Sequence, residues 1–137
     1  MSSSASNIDL PGLYKKAFAL YDLPQGRTKH FTFILRRNKV ISFGWNKGFK
    51  TSVYAARLKY KYPYLHSEID ALKNFPWPNR ELSKCKLVNL RIGGDKRELM
   101  ISRPCEYCEP VLRYMEIGEI YYTDSAGKLV AMSGMNG

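Results

Sequence analysis

Two short motifs constrain this chain more than anything else in it. They are His66-Ser67-Glu68 and, thirty-nine residues beyond the histidine, Pro104-Cys105-Glu106-Tyr107-Cys108. Between them they supply one imidazole, two thiols and a spare carboxylate. If the imidazole and both sulfurs grip one zinc ion, the fold has to bring two distant segments to a single point. A structural zinc is closed by four protein ligands, whereas three leave a position for water, as catalysis requires.

The spacing suits this. Pro104 stands before a predicted helix, and Cys105 and Cys108, three apart, share one helical face. A helix start carries partial positive charge, which favours thiolate over thiol. His66 opens another predicted helix. Glu68, two residues on, cannot lie directly over His66, but it can lean toward a zinc-held water without binding the ion. Zinc lowers the pKa of such a water to about 7, and a neighbouring carboxylate can carry its proton to a ring nitrogen and then to a departing amine. These parts match hydrolytic removal of an exocyclic amine from a nitrogen heterocycle. A closed zinc or a redox dithiol stands as the alternative. A closed zinc needs a fourth ligand, for which Cys85 and His30 are the spare candidates, and a redox Cys-x-x-Cys leaves His66 and Glu68 unexplained.

With 137 residues the chain reads as residues 1–9, a disordered tail, followed by one domain over residues 10–137. No apolar run approaches the roughly 18 residues of a membrane-spanning helix, so no membrane partner is expected. The N-terminal serine-rich stretch has neither the apolar core nor the basic flank of a secretory signal. Three cysteines, two of them in the Cys-x-x-Cys, argue against a disulfide framework and for a reducing, cytoplasmic compartment. Cys85 reads as a small buried hydrophobe.

Charge is uneven. The net charge is +10, and from Leu23 to Ser67 there are ten Lys and Arg residues and no Asp or Glu. That block reads either as a solvated face or as a field that draws phosphates, on a nucleotide or a nucleic-acid strand, toward His66. Within it, Phe49 to Lys61 interleaves tyrosines with cations, as a strand-binding loop does.

The apolar pattern predicts a helix from Pro11 through Tyr21, a hairpin of strands His30–Leu35 and Val40–Trp45, and a loop over Phe49–Tyr64 with a helical turn near Tyr54. A helix follows over Leu65–Phe75, ended by Pro76 and Pro78. Then come strand Lys86–Ile92, an extension over Arg97–Ser102, helix Cys105–Ile117, strand Glu119–Thr123 and a short strand near Lys128–Met132. The strand–helix–strand crossover favours parallel pairing late in the chain, so the sheet is mixed and lies between helices.

The segments His66–Leu72 and Ser102–Cys108, with Ser42–Asn46 and Ile117–Asp124, resemble the cytidine deaminase-like superfamily of zinc-dependent hydrolases over roughly residues 10 to 130. The resemblance implies a three-layer α/β/α fold with a five-stranded mixed sheet. It implies zinc on His66, Cys105 and Cys108 with Glu68 as proton shuttle. It places Asn46, the backbone of Ser67, Pro104 and Tyr122 around the substrate. Asn46 reads equally as a turn residue, and one of Tyr121 and Tyr122 as core. Members often oligomerise, which implies a homo-oligomer. The expected activity is cytosine-to-uracil deamination in a phosphate-bearing substrate, a deoxycytidylate-type nucleotide or single-stranded nucleic acid. Adenine deamination in RNA and non-catalytic, zinc-containing nucleic-acid binding are the alternatives.

Overall fold

The computed structural model describes residues 7–23, 29–46, 66–93, 97–104 and 108–132. The predicted loop over residues 49–64 and Cys105 lie outside them.

Asp9 opens the first helix, α1 (Leu10–Ala19): its Oδ1 accepts from the Gly12 N–H at 3.1 Å, and Pro11 occupies the first turn. Packing begins earlier than the predicted tail boundary, because Ile8 is buried against the core. Strands β1 (Lys29–Arg36) and β2 (Lys39–Trp45) form the antiparallel hairpin. They are joined by Arg37 and Asn38, both at positive φ (51° and 64°), the signature of a tight two-residue turn that matches strand twist. Helix α2 (Ser67–Lys73) and a 3₁₀ helix (Asn79–Lys84) precede β3 (Lys86–Gly93). The chain then forms β4 (Glu98–Met100), α3 (Cys108–Tyr114), β5 (Glu119–Thr123) and β6 (Leu129–Ala131).

The sheet runs β2-β1-β3-β5-β6, antiparallel throughout except that β3 and β5 are parallel, as the crossover through α3 requires. The implied five strands are joined by a sixth. Short β4 pairs with Arg91–Gly93 of β3, beyond the Lys86–Asn89 stretch that β5 covers.

Strand alternation divides the core into two layers. Phe31, Phe33, Leu35, Val88, Leu90, Ile92 and Tyr121 face α1 and its Leu13 and Ala17. Ile34, Leu87 and Ile120 face α2 and α3, meeting Ile69, Leu72, Val111 and Leu112. The result is the three-layer α/β/α arrangement that the resemblance implies.

One glycine sets where α2 sits. A Cβ on Gly44 would stand 2.4 Å from the Ala71 amide nitrogen, so the helix backbone rests directly on β2. Three hydrogen bonds fix this contact: Ser42 Oγ donates to the Ala71 carbonyl (2.6 Å), the Trp45 N–H donates to Asp70 Oδ2 (3.2 Å), and Asn74 Nδ2 donates to the Phe43 carbonyl (3.1 Å). Asp70 is thereby satisfied although it is buried. The first turn of α2, carrying Ser67 and Glu68, is held over the middle of the sheet.

Candidate active site

His66 immediately precedes α2 in extended conformation and starts the helix by accepting the Asp70 N–H on its carbonyl at 3.0 Å. Its ring is left to face α3, where Nδ1 lies 3.2 Å from Cys108 Sγ. One ligand atom from each of His66, Glu68 and Cys108 falls within 4.8 Å of the others. The two distant motifs do meet. Zinc held by a nitrogen and a thiolate in tetrahedral geometry separates those atoms by about 3.5 Å, from bond lengths of roughly 2.0 and 2.3 Å. The observed Nδ1–Sγ separation is within a few tenths of that, so the donor pair fits the ion.

Glu68 is engaged differently. It is buried. Its Oε2 accepts from Asn89 Nδ2 at 3.0 Å, and its Oε1 accepts from Ser67 Oγ at 3.2 Å. Both oxygens are thus held by neutral donors, which keeps the carboxylate beside the N/S pair and steadies its charge away from water.

The support runs deeper than sequence reasoning reached. Thr32 Oγ1, buried on β1, stands between Asn89 Oδ1 (2.6 Å) and Ser67 Oγ (2.7 Å). Ser102 Oγ donates to the Asn89 carbonyl and accepts from the Thr123 N–H, each at 2.7 Å. Thr32, Asn89, Ser102 and Thr123 are all buried, and Thr32 and Asn89 lie on the sheet face that bears α2. Their one sequence signal is interruption: Thr32 and Asn89 are the polar residues in otherwise apolar stretches of β1 and β3.

The predicted substrate contacts divide. Ser67 is buried, with its hydroxyl turned into the network. Pro104 is also buried. Asn46 is half-buried and its Oδ1 accepts from the His30 N–H at 2.9 Å, so it closes the open end of the hairpin. Of the paired tyrosines, Tyr121 is the core residue. Tyr122 is half-buried, beside Asn89 in the parallel register, with the Arg103 guanidinium 5.6 Å from its ring centre and donating to its hydroxyl at 3.2 Å.

Arg91 is a residue the motifs do not reveal. It follows Asn89 by two on β3 and so shares its face. It is half-buried, and its Nε is fully enclosed with no hydrogen-bond partner among the described residues.

The solved structures contain a match to this architecture. The crystal structure of a dCMP deaminase from the cyanophage S-TIM5, in apo form, superposes with a TM-score of 0.50 at 17% identity, covering 84% of this chain and 82% of that one. The chain has a dCMP deaminase-like α/β fold. No protein-family model matches the sequence, and no curated protein does. No helix among the described residues is long and apolar enough to cross a membrane.

Proposed function

We propose that the chain is a zinc-dependent hydrolytic deaminase that converts cytosine to uracil in a phosphate-bearing substrate. The observation that carries this reading is the meeting of His66 Nδ1 and Cys108 Sγ at 3.2 Å beside a buried, doubly hydrogen-bonded Glu68. His66, Cys105 and Cys108 would hold the ion. A bound zinc would supply the acidity that makes a water nucleophilic at neutral pH.

The remaining chemistry belongs to the protein. Glu68 takes a proton from the attacking water and passes it to N3, and a second transfer through Glu68 reaches the exocyclic amine. Water adds at C4 and ammonia leaves, so atoms and charge balance. Asn89 and Ser67 orient the carboxylate through each transfer. Tyr122, half-buried beside Asn89, is the aromatic side chain assigned to the base.

Arg91, half-buried on the same face of β3 as Asn89 and two residues beyond it, is the cation assigned to the phosphate. The cyanophage neighbour is a dCMP deaminase, and dCMP carries such a group.

The test is mass spectrometry of bases, nucleosides, nucleotides and oligonucleotides incubated with zinc-loaded protein, scoring the roughly one-dalton gain of amine-to-carbonyl exchange. Conversion of cytosine substrates is expected, strong for those that carry phosphate and weak for the nucleoside. Arg91→Ala is expected to raise KM for these substrates while leaving the weak turnover of the nucleoside unchanged. Conversion of adenine alone, or of nothing, would overturn the reading.

A further inference from the structure

The turn end of the β1–β2 hairpin, four residues along β1 from Thr32 and therefore about 13 Å from it, carries a second concave surface. Arg36, Arg37, Lys39, Ile41 and Trp77 line a groove of about 400 Å³, within the ~300–1,000 Å³ range of ligand pockets. Among the described residues no carboxylate lines it.

Local structure explains the grouping. The ladder pairs Ile34 with Ser42 and Leu35 with Val40, which leaves Ile41 as the extra residue of a bulge. The bulge lets Ile41 join the groove beside Lys39. Arg37 adopts φ 51°, a left-handed conformation that costs a non-glycine residue about 1–2 kcal/mol and that Asn or Gly would adopt more cheaply. Trp77 sits between Pro76 and Pro78. Its ring meets the Phe75 ring edge-on (5.9 Å, 78°) and the Arg36 guanidinium at 5.7 Å, yet the residue remains 38% exposed. The indole is held between these neighbours with part of the residue exposed.

The electrostatics are one-sided. Glu81 is approached by Arg36 (3.2 Å), Lys84 (3.6 Å) and Arg80 (3.8 Å), so one carboxylate faces three cations. Arg37 and Lys39 add two more exposed charges. Cations spread beyond the groove suit several phosphates in a row, and an exposed indole among them suits a base.

We propose that this groove binds single-stranded nucleic acid, with a base on Trp77 and flanking phosphates on Arg37 and Lys39. It goes beyond the proposed catalytic reading and does not depend on it.

The test is anisotropy of a short dye-labelled single-stranded oligonucleotide titrated with the full chain over a range of salt. Replacing Arg37 and Lys39 together by Ala is expected to lower the slope of log affinity against log salt by about 1.4, two contacts at roughly 0.7 each. Trp77→Ala is expected to weaken binding about 5- to 150-fold with the slope unchanged. Trp77→Phe, which keeps a stacking ring and guards against misfolding, is expected to retain most affinity. Wild-type affinity and slope in the variants, or no oligonucleotide binding by the parent protein, would overturn the proposal. So would a charge effect without a Trp77 effect, or equal competition by polyglutamate, either of which would mark a general polyanion surface. Mononucleotide deamination by the Arg37/Lys39 variant reads the catalytic proposal separately. Strand binding without turnover leaves the groove standing, and turnover without strand binding removes it.

Discussion

Asn89 joins the sheet to the candidate chemistry. Its amide donates to Glu68 Oε2 while its carbonyl oxygen accepts from Thr32, so one side chain fixes both the carboxylate and the strand beneath it. Asn89→Leu removes the donor and leaves two buried acceptors or donors unmet, at about 1–3 kcal/mol for each group. Turnover is expected to fall at least tenfold through kcat, with KM and zinc content little changed, as steady-state kinetics and metal analysis would show. A loss confined to KM would contradict the positioning role. Such residues are hard to read from sequence. The motif residues announce themselves by chemical type, but Thr32, Asn89, Ser102 and Thr123 do so only through one another, and side-chain pairing across four segments leaves no linear pattern. Asn46 shows the opposite difficulty: the same residue type fits a substrate contact and a turn, and its side chain is engaged by the His30 amide.

Elements were legible where periodicity is strong. The apolar runs of β1, β3 and β5 match the predicted strands to within a residue or two, because a central strand buried on both faces tolerates little else. The 3₁₀ helix over Asn79–Lys84 was not foreseen; it buries Leu82 alone among its six residues, too little to make a repeat. Register was also beyond reach, since the bulge at Ile41 comes from cross-strand geometry. The contact of α2 with β2 makes a prediction at this scale. Gly44→Ala forces the helix backbone outward, with an expected loss of about 1–3 kcal/mol in chemical denaturation. Activity is expected to fall in the folded fraction as well, because Glu68 rides on the displaced helix. Full activity at full stability would contradict direct helix–strand seating.

For the molecule as a whole, two features concern its charge. The basic groove and the candidate active site are both built on the same sheet of a chain with net charge +10, so association with anionic substrates is expected to slow as salt rises. Stability depends on pH through Cys85. Burial pushes its thiol above the usual range; Arg36 opposes this and Glu81 adds to it. A raised pKa in the folded state favours the protonated form, so this contribution is present below the ordinary thiol pKa of about 8.5 and fades as pH rises past it. Thermal melts are therefore expected to lose stability above that pH, and Cys85→Ala is expected to lose less of it over the same interval. An identical alkaline loss in both proteins would contradict the assignment.

The most direct measurement is deamination of a cytosine nucleotide by Glu68→Ala protein whose fold and zinc content are checked in the same sample. The account predicts zinc retained at the wild-type level and turnover reduced at least 10²-fold, the usual worth of a positioned proton carrier. Zinc lost with the carboxylate, which would make Glu68 a ligand, or turnover undiminished without it, would contradict the account.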